Sequence, residues 1–325
     1  FPDSGTVMLA SRLIEGFGAA VLAVCMPAFA NMCAGPRHLS IVIAAQATWI
    51  PVGQLVANLV AQPSVAVDFW QPVWWFGAAA ALGVALWTWW IIRHGSVPGV
   101  AQVAATASSD TKVGTDMASD DPLKPIEIRA LWLAAVLFFL WQAQFMGYFT
   151  WLPVYLVDVR DFTADSAVQL NQIPVVVLLV FSLIGGIILK TGVGVIKLLT
   201  FALALQAFGW AMIPFADNAL IGLSSLVVWG IAAGLTPTSL WALPSTLIGG
   251  HRAGTDAFAV VLSGRYLGIL AGPLIAAGMF EVTGNWITVA YTFVAIAGAT
   301  IVGTVCLGVR IRAIRAAETR EGRAS

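Results

Sequence analysis

Nine stretches of this chain are long enough and apolar enough to cross a lipid bilayer, and they constrain everything else the chain can form. Spanning a hydrocarbon core about 30 Å thick takes about 20 apolar helical residues. Runs of this kind occupy 6–28, 39–61, 72–92, 130–157, 171–189, 195–215, 219–248, 257–280 and 286–309. Strands of a membrane barrel would alternate apolar and polar residues over about 10 positions, and these runs do not alternate. A helix satisfies its own backbone hydrogen bonds in lipid, where an isolated strand cannot. The expected fold class is an all-α membrane protein built as a helical bundle of nine transmembrane helices.

Composition removes the soluble alternatives. Hydrophobic residues make up 59% of the 325 and charged residues 10%, against roughly 25% charged in soluble domains, and mean hydropathy is +0.89. The 16 basic and 16 acidic residues cancel, so no bulk positive charge attracts nucleic acid, and that partner is not expected. Cys25, Cys33 and Cys306 lack the spacing of a metal or redox site and read as packing residues. His38, His94 and His251 fall in loops, with no His-x-x-x-His pair or acid cluster for a metal. No nucleophile has a base in view. Neither an enzyme nor a cofactor is expected.

The one long polar interruption, 94–128, includes Ser108-Ser109-Asp110-Thr111-Lys112 and has no apolar periodicity, so it reads as a flexible linker. It separates a partial N-terminal half of three spans (1–93) from a six-helix half (129–310), which a basic tail (311–325) follows. Threading the spans alternately places Arg37, Arg93, Lys112, Lys124, Arg129, Lys190, Lys197, Arg252, Arg310, Arg312, Arg315, Arg320 and Arg323 on one face. Arg160 stands alone on the other. Basic loops stay on the cytoplasmic side, so the linker and C-terminus are expected there, in a cell membrane of the bacterial inner-membrane kind.

Internal duplication is legible as two similar rhythms, Pro27, Arg37, Gly53 and Trp70 early in the chain and Pro244, Arg252, Gly268 and Trp286 late in it. Many transporters are built from such repeated triplets of helices. The first span carries Met8-x-x-x-Arg12-x-x-Glu15-Gly16-x-Gly18-Ala19-Ala20. It is similar to the L-x-x-x-R-x-x-Q-G-x-G-A-A pattern in the fourth helix of the major facilitator superfamily, with Glu15 replacing Gln. Gly268-x-x-x-Gly272-Pro273 resembles the antiporter run of that family's fifth helix, but it stands in the corresponding helix of the other half, where the fifth helix itself reads Ile50-Pro51-Val52-Gly53-Gln54. Gly185-Gly186, Lys190-Thr191-Gly192 and Lys197 resemble its cytoplasmic loop motif without the Asp. The resemblance implies a major-facilitator-type bundle, present as 3 + 6 helices and expected to begin after three others. More weakly, Ile50 to Gly53 looks like cyanate or nitrite permeases.

Within the spans, ionisable side chains are the first functional candidates, since a mid-bilayer charge costs about 2.5 to 3.5 kcal/mol on insertion scales. Arg12 and Glu15 are three apart and share a helical face, so an ion pair is expected. Arg265 lies deep in the eighth span. Gln142, Gln144 and Tyr148 on the fourth span and Thr236 and Thr238 on the seventh are uncharged candidates for solute contact; the alternative for each is helix-to-helix hydrogen bonding. Pro237 and Pro244 are candidate hinges, and Gly16, Gly18, Gly264, Gly268, Gly272 and Pro273 are packing or hinge positions. Tryptophans at both ends of the third span read as interfacial anchors.

The function these features imply is alternating-access transport of a small solute by a monomer in the lipid bilayer. Two intramembrane arginines against one acid favour an organic or inorganic anion, with protons as the coupling ion. An exporter of hydrophobic compounds driven by protons and a non-transporting membrane scaffold are the alternatives.

Overall fold

The computed structural model describes residues 5–66, 69, 71–94, 123–249, 253 and 255–324, and these form helices and no strand. In chain order they are α1 (Gly5–Ala47), α2 (Trp49–Ala66), α3 (Gln71–His94), α4 (Pro125–Asp158), α5 (Ala164–Lys190) and α6 (Val195–Met212). A 3-10 turn at Ile213–Phe215 leads to α7 (Ala219–Trp241), α8 (Leu243–Ile248), α9 (Thr255–Thr283) and α10 (Trp286–Ala324). The fold is the expected all-α bundle, although among the described residues eight helices rather than nine are long and apolar enough to span a membrane.

The difference lies in the early spans. The expected boundary at 29–38 is absent, because α1 continues through it to Ala47 and the break falls at Thr48. Pro51 accounts for that position. Its ring would clash with the carbonyl of Ala47, and it lacks the N–H of an unbroken helix, but it is tolerated in the first turn of α2. Thr48 Oγ1 donates to the Ala45 carbonyl at 2.7 Å and closes the end of α1. The expected span 219–248 is likewise split at Ala242 into α7 and α8, with Pro244 near the start of the second piece. The stretch read as a linker contributes its first residue to α3 and 125–128 to α4, and 95–122 lie outside the described residues. The tail read at 311–325 continues α10 to Ala324.

Close helix packing builds the six-helix half. α9 lies along α4 with Gly264, Gly268 and Gly272 at the contact, where an added Cβ would meet the carbonyls of Ala135, Phe139 and Ala143. α7 lies along α5 in the same way, since a Cβ at Gly230 would stand 2.8 Å from the Pro174 oxygen and one at Gly234 2.6 Å from that of Leu178. Small residues let helix backbones meet where lipid supplies no hydrophobic force to join them. The space between the helices is filled by aromatic rings. Phe258, Trp241, Phe138, Trp141, Phe145, Trp229, Tyr148, Trp210 and Phe293 form a continuous series of ring contacts. Trp229 is fully buried at its centre, stacked on Tyr148 with centroids 3.7 Å apart. α1 and α2 lean on α5, whereas α3 touches chiefly α2 and keeps Trp74, Trp75, Trp87, Trp89 and Trp90 exposed.

Candidate functional site

Arg265 is the one described cation enclosed by protein, with 4% of its surface exposed. Its position follows from the glycine seam. Gly264 faces α4, and a step of one residue turns the next side chain about 100° around the helix, away from α4 and toward the α1–α2 break. The guanidinium carbon lies 5.5 Å from the ring centre of Trp49, the first residue of α2, and 5.2 Å from that of Tyr266. Arginine over an aromatic face is attracted by the ring quadrupole. No carboxylate among the described residues is within ion-pair distance of it. Ten residues from the start of α9, it stands about 15 Å along the helix at 1.5 Å per residue. The arrangement holds a positive charge between α9 and Trp49 at the start of α2, with aromatic faces and, among the described residues, no counter-charge.

The amides of α4 are fully buried. Gln142 sits beside Gly268 of α9, and neither its oxygen nor its nitrogen has a hydrogen-bond partner within the protein. Gln144 turns to α10, where Nε2 donates to Thr300 Oγ1 at 3.5 Å and to the Leu140 carbonyl at 3.1 Å, while Oε1 is unpartnered. Tyr148, one turn further on, belongs to the aromatic series. Sequence reasoning missed Gln206 of α6, which is fully buried with both polar atoms unpartnered. Its signal was available, because it is the one polar residue in the second half of α6; Lys197 and Thr200 fall in the first two turns. Buried polar groups are nearly always hydrogen-bonded, so these amides mark places where water or a solute completes the structure.

The hydroxyls of α7 are bonded along their own helix. Pro237 removes a backbone donor, and around it Thr236 donates to the Ala232 carbonyl at 2.8 Å and Ser239 to that of Leu235 at 3.2 Å. Thr238 crosses to α5, donating to the Ser182 carbonyl at 3.2 Å. α7 continues through Pro237, whereas Pro244 opens α8 immediately after the break. Pro273 lies within α9, and its carbonyl accepts from Trp151 Nε1 at 3.1 Å.

Arg12 and Glu15 do not join this interior. They pair with each other at 2.5 Å on the flank of α1, with side chains 40% and 62% exposed, and Arg12 lies 4.1 Å from the ring centre of Trp74. Gly16 and Gly18 have nothing within 4 Å of the space a Cβ would fill. Of the two arginines expected within the membrane, Arg265 alone is enclosed by protein among the described residues.

A bundle of helices long and apolar enough to cross a membrane is the architecture of an integral membrane protein. The chain matches the family model of the Major Facilitator Superfamily over residues 1–273 and belongs to that family. It is thus a secondary transporter of a small solute, seated in the lipid bilayer, and not an enzyme. No curated protein matches it.

Proposed function

We propose that the chain carries a small organic or inorganic anion by alternating access, with Arg265 as the residue that receives the anion. The observation that carries this reading is the burial of Arg265 between α9 and Trp49 without a carboxylate among the described residues. An enclosed cation is costly unless a counter-charge reaches it, and an anionic solute supplies one. The site lies where the two halves meet, the place from which rocking of one half against the other exposes a solute to either side. Gln142 on α4 and Thr236 and Thr238 on α7 are further solute contacts in this reading. Pro237 and the break before Pro244 supply the bending that opening requires.

Coupling to protons is assigned to Arg12 and Glu15. A charge pair on the flank of an apolar helix is expensive in lipid, and protonating Glu15 would release Arg12 to another partner. The protein acts as a monomer in a bacterial inner membrane, with its C-terminus cytoplasmic, as the placement of its basic residues supports.

Counterflow of radiolabelled nitrite, acetate and succinate into proteoliposomes tests the proposal. Arg265→Gln should lower uptake of the transported anion at least tenfold, Arg265→Lys should retain part of it, and Glu15→Gln should leave counterflow intact while abolishing accumulation driven by a pH gradient. Uptake by Arg265→Gln at the wild-type rate would remove the arginine from the mechanism. Export of hydrophobic compounds is the second reading, favoured by the aromatic cleft among α4, α6 and α10. Uptake of none of the anions, together with extrusion of a hydrophobic dye, would select it.

A further inference from the structure

α6 and α10 pack against each other along their lengths and run in opposite directions. Near the start of α6, Ile196 Cγ2 lies 3.0 Å from where a Cβ on Gly308 would stand. Near its end, Trp210 stacks on Phe293 at 4.6 Å. These two contacts fix which faces of the pair turn outward. Successive residues step about 100° around a helix, so Lys197, Phe201 and Phe208 lie about 100–140° around α6 from the Ile196 contact. Val302, Val305, Val309 and Arg312 lie about 40–120° around α10 from Gly308. In antiparallel helices equal rotations along the two chains turn to the same side of the pair. Two stripes therefore border one shallow groove.

The groove is apolar along its length and cationic at one end. Phe201, Phe208, Val302, Val305 and Val309 are each at least 52% exposed. Lys197 closes the first stripe and Arg312 the second, at the end of the bundle where α6 begins. Both are exposed, and neither forms an ion pair with a described residue. α6 has no acidic residue, and α10 has none before Glu318. From Arg312 to Val302 is about 15 Å and from Lys197 to Phe208 about 17 Å at 1.5 Å per residue. Either length matches one leaflet, half of a hydrocarbon core about 30 Å thick.

We propose that this groove is a binding site for an anionic phospholipid, separate from Arg265. Its acyl chains lie on the phenylalanine and valine stripes, and its phosphate is held between Lys197 and Arg312. Both side chains are long enough to bury their stems along the helix and carry the charge to the headgroup level. Phosphatidylglycerol fits, because its headgroup brings a negative charge and no positive one. Phosphatidylcholine brings a cation of its own, for which neither helix offers a carboxylate at this level.

The test is native mass spectrometry of the purified, detergent-solubilised chain, titrated separately with phosphatidylglycerol and phosphatidylcholine of the same acyl chains. A cation beside an anionic headgroup is expected to supply about a fivefold preference. The first phosphatidylglycerol should thus bind about twenty-five-fold more tightly than the first phosphatidylcholine. Lys197→Gln and Arg312→Gln should each reduce that ratio about fivefold, and the double variant should remove it. Arg93→Gln, which takes one charge from α3, should leave it unchanged. Glycerol phosphate, the headgroup without chains, should not displace the lipid at equal concentration. Equal binding of the two lipids, a preference that survives the double substitution, a loss in Arg93→Gln as large as in Lys197→Gln, or displacement by glycerol phosphate would each overturn the proposal.

Discussion

The seam between α4 and α9 yields a sharp prediction, because one chemical change can be made on the same helix with and without a neighbour in the way. At Gly268 an added Cβ would stand 2.5 Å from the Phe139 oxygen, with Gln142 Cβ at 2.9 Å and the Ala143 nitrogen at 3.1 Å. A comfortable carbon-to-oxygen contact is about 3.3 Å, so α9 must withdraw by about 0.8 Å along this line, and the two flanking atoms close off sideways relief. A gap of 0.5–1 Å forfeits a quarter to a half of each dispersion contact across it, and overpacking of this kind costs about 1–3 kcal/mol. Gly278, three turns along the same helix, has nothing within 4 Å of its would-be Cβ. Both substitutions to Ala gain helix propensity of about 1 kcal/mol, so that contribution cancels in the comparison. Gly268→Ala should therefore be less stable than Gly278→Ala by about 1–3 kcal/mol, read as a lower midpoint in thermal unfolding of the detergent-solubilised protein. Equal midpoints for the two variants would refute the claim that backbone contact at Gly268 holds α9 to α4.

Trp229, fully buried and in ring contact with Phe145, Tyr148 and Phe149, should cost about 3–5 kcal/mol on truncation to Ala; a wild-type melting curve would show that the aromatic series is not the core of this half. Arg160 bonds to the Asp217 carboxylate and the Ala216 carbonyl, tying the end of α4 to the start of α7. Because the Asp217 side chain is 90% exposed, a double-mutant cycle on the pair should give a coupling of at most ~1 kcal/mol, diminishing in high salt, and a coupling above that range would contradict a surface clip.

How much of the molecule was legible in the sequence depended on whether a feature is local. Length and apolarity are local, and they located the apolar parts of α3 to α7, α9 and α10, although α5 begins seven residues before the expected span, α7 ends seven residues short of it and α10 runs fifteen residues past it. Helix breaks are less so. Gly35-Pro36-Arg37-His38 looks like an interruption by composition, yet α1 passes through it, while the break at Thr48 sits in an apolar context and is set by Pro51 three residues on. The repeat rhythm pairs Gly53 with Gly268, but the two are not physically equivalent: Gly268 is pressed against α4, and a Cβ at Gly53 would meet nothing within 4 Å. Spacing reports ancestry or chance; contact depends on which partner helix is beside it.

Formal charge was the first search criterion for functional residues, and it treats Arg12 and Arg265 alike, since both interrupt apolar runs. Burial and pairing separate them. Arg12 is exposed on α1 and neutralised by a glutamate one turn away, an arrangement its helix can satisfy alone. Arg265 is enclosed by elements far apart in sequence, and no described residue neutralises it. Gln206 was passed over because it stands alone in α6, whereas Gln142 and Gln144 fall close together with Tyr148 on α4. An uncharged amide looks innocuous in a sequence, but in a water-free interior each unpartnered polar group costs energy of the same order as a charge on insertion scales. The strongest candidates for solute contact proposed for this bundle, Arg265 and Gln142, are polar groups whose charge or hydrogen-bonding requirement the described residues leave open, and neither a carboxamide nor a guanidinium reveals that until its neighbours are known.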